Sequence, residues 1–254
     1  MALLTLDFHS HQLKMHTVLT VIVPDTRDIG GKPMAERKVL TLLHGLSEDG
    51  TAGVRMSKVE LYAQETGVVV VMPSVGRSMY CDNVNGQNYF SHVADEVPSY
   101  LHMLLGLSRK REDNYLAGIS MGGMGASRIA LTYPERYRMV TLLSGLLDFT
   151  PLMPLLTNEL RGEFPFLLEM EGNLDGSMLN PINMLDAEKH KALEILIRCG
   201  EQDDMLVMSR RFLQRAQALG LNAKGIFEPG AHVWRLWDGC LDDLIKRIAE
   251  DAKQ

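Results

Sequence analysis

Short apolar blocks alternate with segments of helical spacing along most of the 254 residues. Two β-like runs come first, Leu3 to His9 and Lys14 to Val23. The alternation and branched side chains of Thr17 to Val23 predict a half-buried hairpin. A Gly/Pro/Asp loop, Pro24 to Pro33, follows. Lys38–Leu43 and Val68–Met72 are continuous apolar runs, the pattern of strands covered on both faces. Met56 to Thr66 has helical spacing, and so does Tyr89 to Leu107, where Pro98 predicts a kink or break. The polar loop Ser74–Asn88, with Tyr80, Asp82, Asn85 and Asn88, lies between them. Asp113–Ile119 predicts a strand and Met124–Tyr133 a helix. Met139–Leu143, Leu193–Arg198 and Ala223–Glu228 predict further strands, and Met208–Leu219 and Val233–Asp251 further helices. Strands alternating with helices predict an α/β fold, a mostly parallel sheet with helices on both faces. From Leu146 to Lys191 the pattern loosens around Pro151, Pro154, Pro165 and Pro181. This stretch reads as a lid-like insertion at about 146–191 in one domain spanning residues 1–254.

Composition narrows the classes. Hydrophobic residues make up 46% and charged residues 23%, ordinary for a globular protein, and the formal net charge of -6 disfavours nucleic acid or an anionic membrane as partner. No apolar run reaches the length of a membrane span. The first residues lack the basic start and small-residue cleavage site of a leader, so the expectation is a cytoplasmic protein or one that begins after processing. Three cysteines, Cys81, Cys199 and Cys240, without CxxC spacing argue against a disulfide framework or a zinc site, and Cys199 reads as a buried thiol in a strand.

The chemistry gathers where predicted strands end. Gly118-Ile-Ser120-Met-Gly122 fits the nucleophile-elbow pattern G-x-S-x-G, in which serine sits on a strained turn between strand and helix. A Gly/Ser turn can match those five positions by chance; a strand before and a helix after supply the context. A serine hydroxyl needs a base to take its proton. His232, in Pro229-Gly-Ala-His232, follows the last predicted strand, and Asp203 and Asp204 follow the strand before it. Either aspartate can orient the imidazole and stabilise its charged form. Alone, each of these residues reads as a loop or capping group. Together they give the order Ser, Asp, His expected of an α/β-hydrolase, with all three at the carboxyl ends of strands, where ligands bind in open α/β sheets. The backbone N–H groups of Met121 and Leu46 are the candidate oxyanion donors. His44, before Gly45 at a strand end, reads as structural.

The chain resembles the tributyrin esterase branch of the esterase D family, within the α/β-hydrolase fold. The matching pieces are Leu42-Leu-His-Gly-Leu46, Val71-Met-Pro73, Phe90 to Tyr100, the Ser120-Met-Gly-Gly-Met-Gly125 elbow, Leu143-Ser-Gly145, Cys199-Gly-Glu-Gln-Asp203 and Gly230-Ala-His232-Val-Trp234. They run in order through nearly the whole chain. The resemblance selects Asp203 over Asp204, because in that family the acid follows Cys-Gly at this spacing. It implies hydrolysis of short-chain acyl esters through an acyl-enzyme, with a small-molecule acyl ester as partner and no cofactor; homo-oligomers are common in the family. S-formylglutathione hydrolases are relatives. They typically carry Thr-Cys after the Gly-Leu of the first loop, where this chain has Ser47-Glu48, a departure that weighs against glutathione thioesters. The acyl group is expected to meet apolar walls from the insertion, with Phe149, Leu152, Met153, Leu155, Phe164, Phe166 and Leu167 as candidates.

Overall fold

A computed structural model describes residues 1–25, 32–83, 86–155, 158–164 and 172–251. Its eight strands are β1 (Ala2–Ser10), β2 (Met15–Val23), β3 (Val39–Leu43), β4 (Val69–Pro73), β5 (Asn114–Ile119), β6 (Met139–Leu143), β7 (Glu194–Gly200) and β8 (Ala223–Glu228). They form one sheet in the order β1-β2-β4-β3-β5-β6-β7-β8. β1 pairs antiparallel with β2, and β2 with β4; the remaining pairs are parallel. Every residue of β4 and β6 is buried, Thr141 of β6 included, as expected of largely apolar strands covered on both faces. β1 is largely exposed at the sheet edge, and its partner β2 carries the burial.

The α-helices include α1 (Ala52–Met56), α2 (Val59–Thr66), α3 (Val97–Leu105), α4 (Met121–Thr132), α5 (Leu206–Ala218) and α6 (Trp234–Asp251). α2 and α6 cover one face through Val59, Tyr62, Leu241, Leu244 and Ile248, packed on Leu40, Leu42 and Ala117. α4 and α5 cover the other through Met124, Ile129 and Phe212, packed on Leu116, Val140 and Ile195. α3 packs Val97 and Leu101 on Val39, Val69 and Val71. At about 25 cal/mol per Å² of apolar surface removed from water, these two layers are the main stabilising contribution. None of these helices is long and apolar enough to cross a membrane among the described residues.

Three helix expectations change. Met56–Thr66 is not one helix. The chain turns extended at Ser57, whose hydroxyl donates to Gly53 O at 2.6 Å and accepts from Val59 N–H at 3.2 Å. A serine that bonds local backbone on both sides competes with the helix ladder. The break expected at Pro98 falls just before it, as a wide π turn over His92–Glu96, and Pro98 itself lies in the first turn of α3, where a missing N–H costs little. The helix after the elbow begins at Met121 rather than Met124, directly behind the serine.

Candidate active site

The carboxyl ends of β3, β5, β7 and β8 converge on one cavity of about 230 Å³. Gly45, Leu46 and Glu48 line it from the loop after β3, Ile119 and Ser120 from β5 and the elbow, and His232 and Trp237 from the segment after β8. Ser120 has φ 56° and ψ −115°, a conformation a non-glycine residue holds only when its surroundings enforce it. Two backbone bonds do so: Ser120 N–H to Leu143 O at 2.9 Å, and Gly123 N–H to Ser120 O at 2.9 Å. Gly118 is required here, since a Cβ on it would stand 1.9 Å from Gly122 O. The elbow thus closes strand onto helix and leaves the serine at the N-terminus of α4.

The loops after β7 and β8 are stitched together. Gln202 N–H donates to Gly230 O at 2.9 Å, and Gly230 N–H donates to Gln202 Oε1 at 2.8 Å. Gly200 allows this approach, because a Cβ there would lie 2.1 Å from Gly230 O. The stitch brings Asp203 to His232, whose Nδ1 lies 3.0 Å from Oδ1 and 3.1 Å from Oδ2. The Asp203 side chain is fully buried and His232 is 33% exposed. Burial works against ionisation of Asp203. Hydrogen bonds from His232, the Ser144 hydroxyl and the Met205 N–H outweigh it and hold the carboxyl below its ordinary range. His232 Nδ1 is therefore the protonated nitrogen, and Nε2 has no hydrogen-bond partner among the described residues. Asp204 is exposed, outside this pair.

The N–H groups of Leu46 and Met121 donate to no acceptor among the described residues. His44 holds the loop that presents Leu46. Its Nδ1 donates to Gly45 O at 2.7 Å, its Nε2 accepts from Val75 N–H at 3.1 Å, and its own carbonyl accepts from Tyr80 Oη at 3.1 Å. Burial pushes the His44 imidazole down from its usual value, which keeps the ring neutral. The cysteines are all free and buried, and burial pushes Cys199 up to about 11 and Cys240 up to about 12. Among the described residues no group of three or more His, Cys, Asp or Glu side chains is arranged to hold a metal.

A profile of the family described as "Putative esterase" matches residues 10–248. The chain belongs to this family. It is 26% identical to an acetyl esterase of Caldicellulosiruptor saccharolyticus, over 94% of each chain. Among solved structures it is similar to the fluorophosphonate-binding serine hydrolase FphF of Staphylococcus aureus in its substrate-bound form, at 32% identity, 98% coverage of both chains and a TM-score of 0.86. The S-formylglutathione hydrolase FrmB of Staphylococcus aureus gives the same identity, coverage and TM-score. The chain is accordingly a carboxylic ester hydrolase of the serine esterase kind on an α/β-hydrolase fold.

Among the described residues of 146–191, none lines this cavity. Phe149, Met153 and Phe164 are buried in the core with Leu147 and Leu185, and Leu152 packs against that cluster. They fill the space beyond the elbow helix because large apolar side chains at the end of a central sheet gain more from a continuous core than from a solvent-filled cleft. Phe166, Leu167 and Asn85 lie outside the described residues, as does the side chain of Leu155. The described apolar walls are Leu46, Ile119 and Trp237.

Two residues of the esterase's site were not singled out by sequence. Trp237 sets its ring edge-on to His232, with centroids 4.8 Å apart, and donates its Nε1 hydrogen to Ser144 Oγ at 2.9 Å. It braces both members of the Asp203–His232 pair, and no spacing rule marks a tryptophan one turn into a helix. Glu48 accepts from Gly45 N–H at 3.0 Å and from Trp234 Nε1. It joins the loop after β3 to the segment carrying His232 across 186 residues. In the sequence it stands out only as a departure from the relatives' Thr-Cys.

Proposed function

We propose that the esterase hydrolyses short-chain acyl esters by a Ser120–His232–Asp203 triad. Ser120 Oγ attacks the acyl carbonyl as His232 Nε2 takes its proton. Asp203 fixes the tautomer at Nδ1 and stabilises the imidazolium. The N–H groups of Leu46 and Met121 hold the oxyanion. The imidazolium returns the proton to the departing alcohol, and water then cleaves the acyl-enzyme by the same steps in reverse roles. The observation that carries this reading is the Asp203–His232 pair, with one free imidazole nitrogen, on the same cavity as a strained Ser120. The acetyl esterase relative supports a small acyl group, as does a cavity with Leu46, Ile119 and Trp237 as its apolar walls.

The same reading treats the chain as one hydrolase domain in which residues 146–191 are inserted, working as a homo-oligomer; sedimentation measures the oligomer. The test of the chemistry is a series of nitrophenyl esters from acetate to octanoate. Each fitting methylene adds about 0.8 kcal/mol until the wall is reached. kcat/KM is expected to rise to about four carbons and then fall, and a fluorophosphonate probe is expected to label the protein at Ser120. A maximum at eight carbons overturns the short-chain reading. The second reading, a thioesterase for S-formylglutathione, draws on the likeness to FrmB. A kcat/KM on that thioester tenfold above every oxygen ester would put it first.

A further inference from the structure

We infer that Glu48 is a specificity-determining residue that selects substrates by the charge of the departing alcohol or thiol, favouring neutral and cationic groups over anionic ones. The inference rests on the ester-cleaving reading above and names the class of leaving group it accepts. Glu48 lines the same cavity as Ser120 and His232. Its two hydrogen bonds come from neutral donors, the Gly45 N–H and the Trp234 indole, and no Lys, Arg or His pairs with it among the described residues. Among the described residues its carboxylate therefore has no ion-pair partner. A carboxylate oxygen has more than one acceptor site, so both oxygens can still receive a donor from a ligand.

The bond to Trp234 ties this charge to the segment that carries His232, two residues before the tryptophan. In the proposed reaction His232 hands a proton to the leaving oxygen or sulfur. The carboxylate is therefore assigned to the leaving-group side of the cavity, an assignment that esters differing only in the leaving group test directly. A leaving group with a carboxylate of its own, such as glutathione, meets like charge in a partly desolvated site. A quaternary ammonium or a protonated amine meets opposite charge. In a site of intermediate dielectric, one such interaction several ångströms away is worth on the order of tenfold in kcat/KM.

The test uses three butyrate esters that share the acyl group: the choline ester, its neutral isostere 3,3-dimethylbutyl butyrate, and the anionic ester of glycolate. Each is measured with the wild-type protein, Glu48→Gln, Glu48→Asp and Ser120→Ala. The preference of wild type for choline over glycolate ester, divided by that of Glu48→Gln, cancels the intrinsic reactivity of the esters. It is expected to be about tenfold or more and to shrink in 0.5 M salt, as charge screening requires. Glu48→Asp keeps the charge and is expected to keep the preference even if its rates fall. A Glu48→Gln protein that loses the same factor on all three esters overturns the inference, because a merely structural brace acts on every substrate alike. Hydrolysis of the neutral ester that survives Ser120→Ala overturns the triad reading and this inference with it.

Discussion

Two loops at the carboxyl edge of the sheet each carry a histidine, and the two rings are held in different ways. The loop after β3 closes around His44: the residue is buried, both ring nitrogens are engaged by backbone, and burial keeps the imidazole neutral. The segment after β8 leaves His232 one-third exposed, with Nδ1 engaged by a buried carboxylate. A histidine that spends both nitrogens on the backbone cannot move a proton. One that keeps a nitrogen free beside a serine can. The partners differ in kind as well: His232 meets a carboxylate, whereas Gly45 O and Val75 N–H hold His44 in one neutral tautomer.

The comparison breaks most sharply at the chemical end. Ser120→Ala and His232→Ala are each expected to lower kcat by about four to six orders of magnitude with Tm nearly unchanged. If His232→Ala keeps a tenth of the activity, the free nitrogen is not the base. Next in size, Asp203→Asn is expected to cost about four orders of magnitude by presenting the wrong tautomer. The exposed Asp204→Asn is expected to stay within about threefold; steady-state kinetics on one short ester reads both, and the reverse ranking moves the acid.

His44→Ala tests the other loop. It leaves Val75 N–H without its partner and Gly45 O with the Glu48 N–H alone, at about 1–3 kcal/mol of stability. That is a drop of several degrees in Tm by calorimetry, with kcat reduced far less than in His232→Ala. The smallest effect is in pH. The buried His44, His92 and His190 all sit below the ordinary histidine value of 6.5. The unfolded chain therefore binds more protons than the folded one just below that value. Stability is full above about 6.5 and falls as pH drops through the folded values. Urea midpoints between pH 7.5 and 5 measure the slope, which is expected to be shallower in His44→Gln. A midpoint that rises on acidification contradicts the buried neutral ring.

Much of this site is legible before any coordinates, for a physical reason. Strands covered on both faces are largely apolar, so Val69–Pro73 and Met139–Leu143 announce themselves, and the polar residues that follow them are at the carboxyl edge of the sheet. The elbow is legible because its backbone crowding tolerates only glycine at 118. What sequence does not carry is choice between equivalent burials. Phe149, Met153 and Phe164 are apolar whether they wall a pocket or fill a core, and the core has them. Ser57 reads as an ordinary helix residue until its hydroxyl is seen bonding on both sides. The roles of Glu48 and Trp237 depend on contacts spanning 186 and 93 residues, which no local pattern encodes.

The positive φ of Ser120 has a consequence for how such a protein changes over generations. Glycine holds that backbone shape without the penalty of order 1–3 kcal/mol that a side chain incurs, even after its own loss of chain entropy is counted. On the proposed reading, a replacement of Ser120 by glycine is therefore expected to end catalysis and leave a sturdier molecule. A library sorted for heat resistance alone will drift toward dead proteins at this codon, and selection on turnover is the force that keeps the serine there.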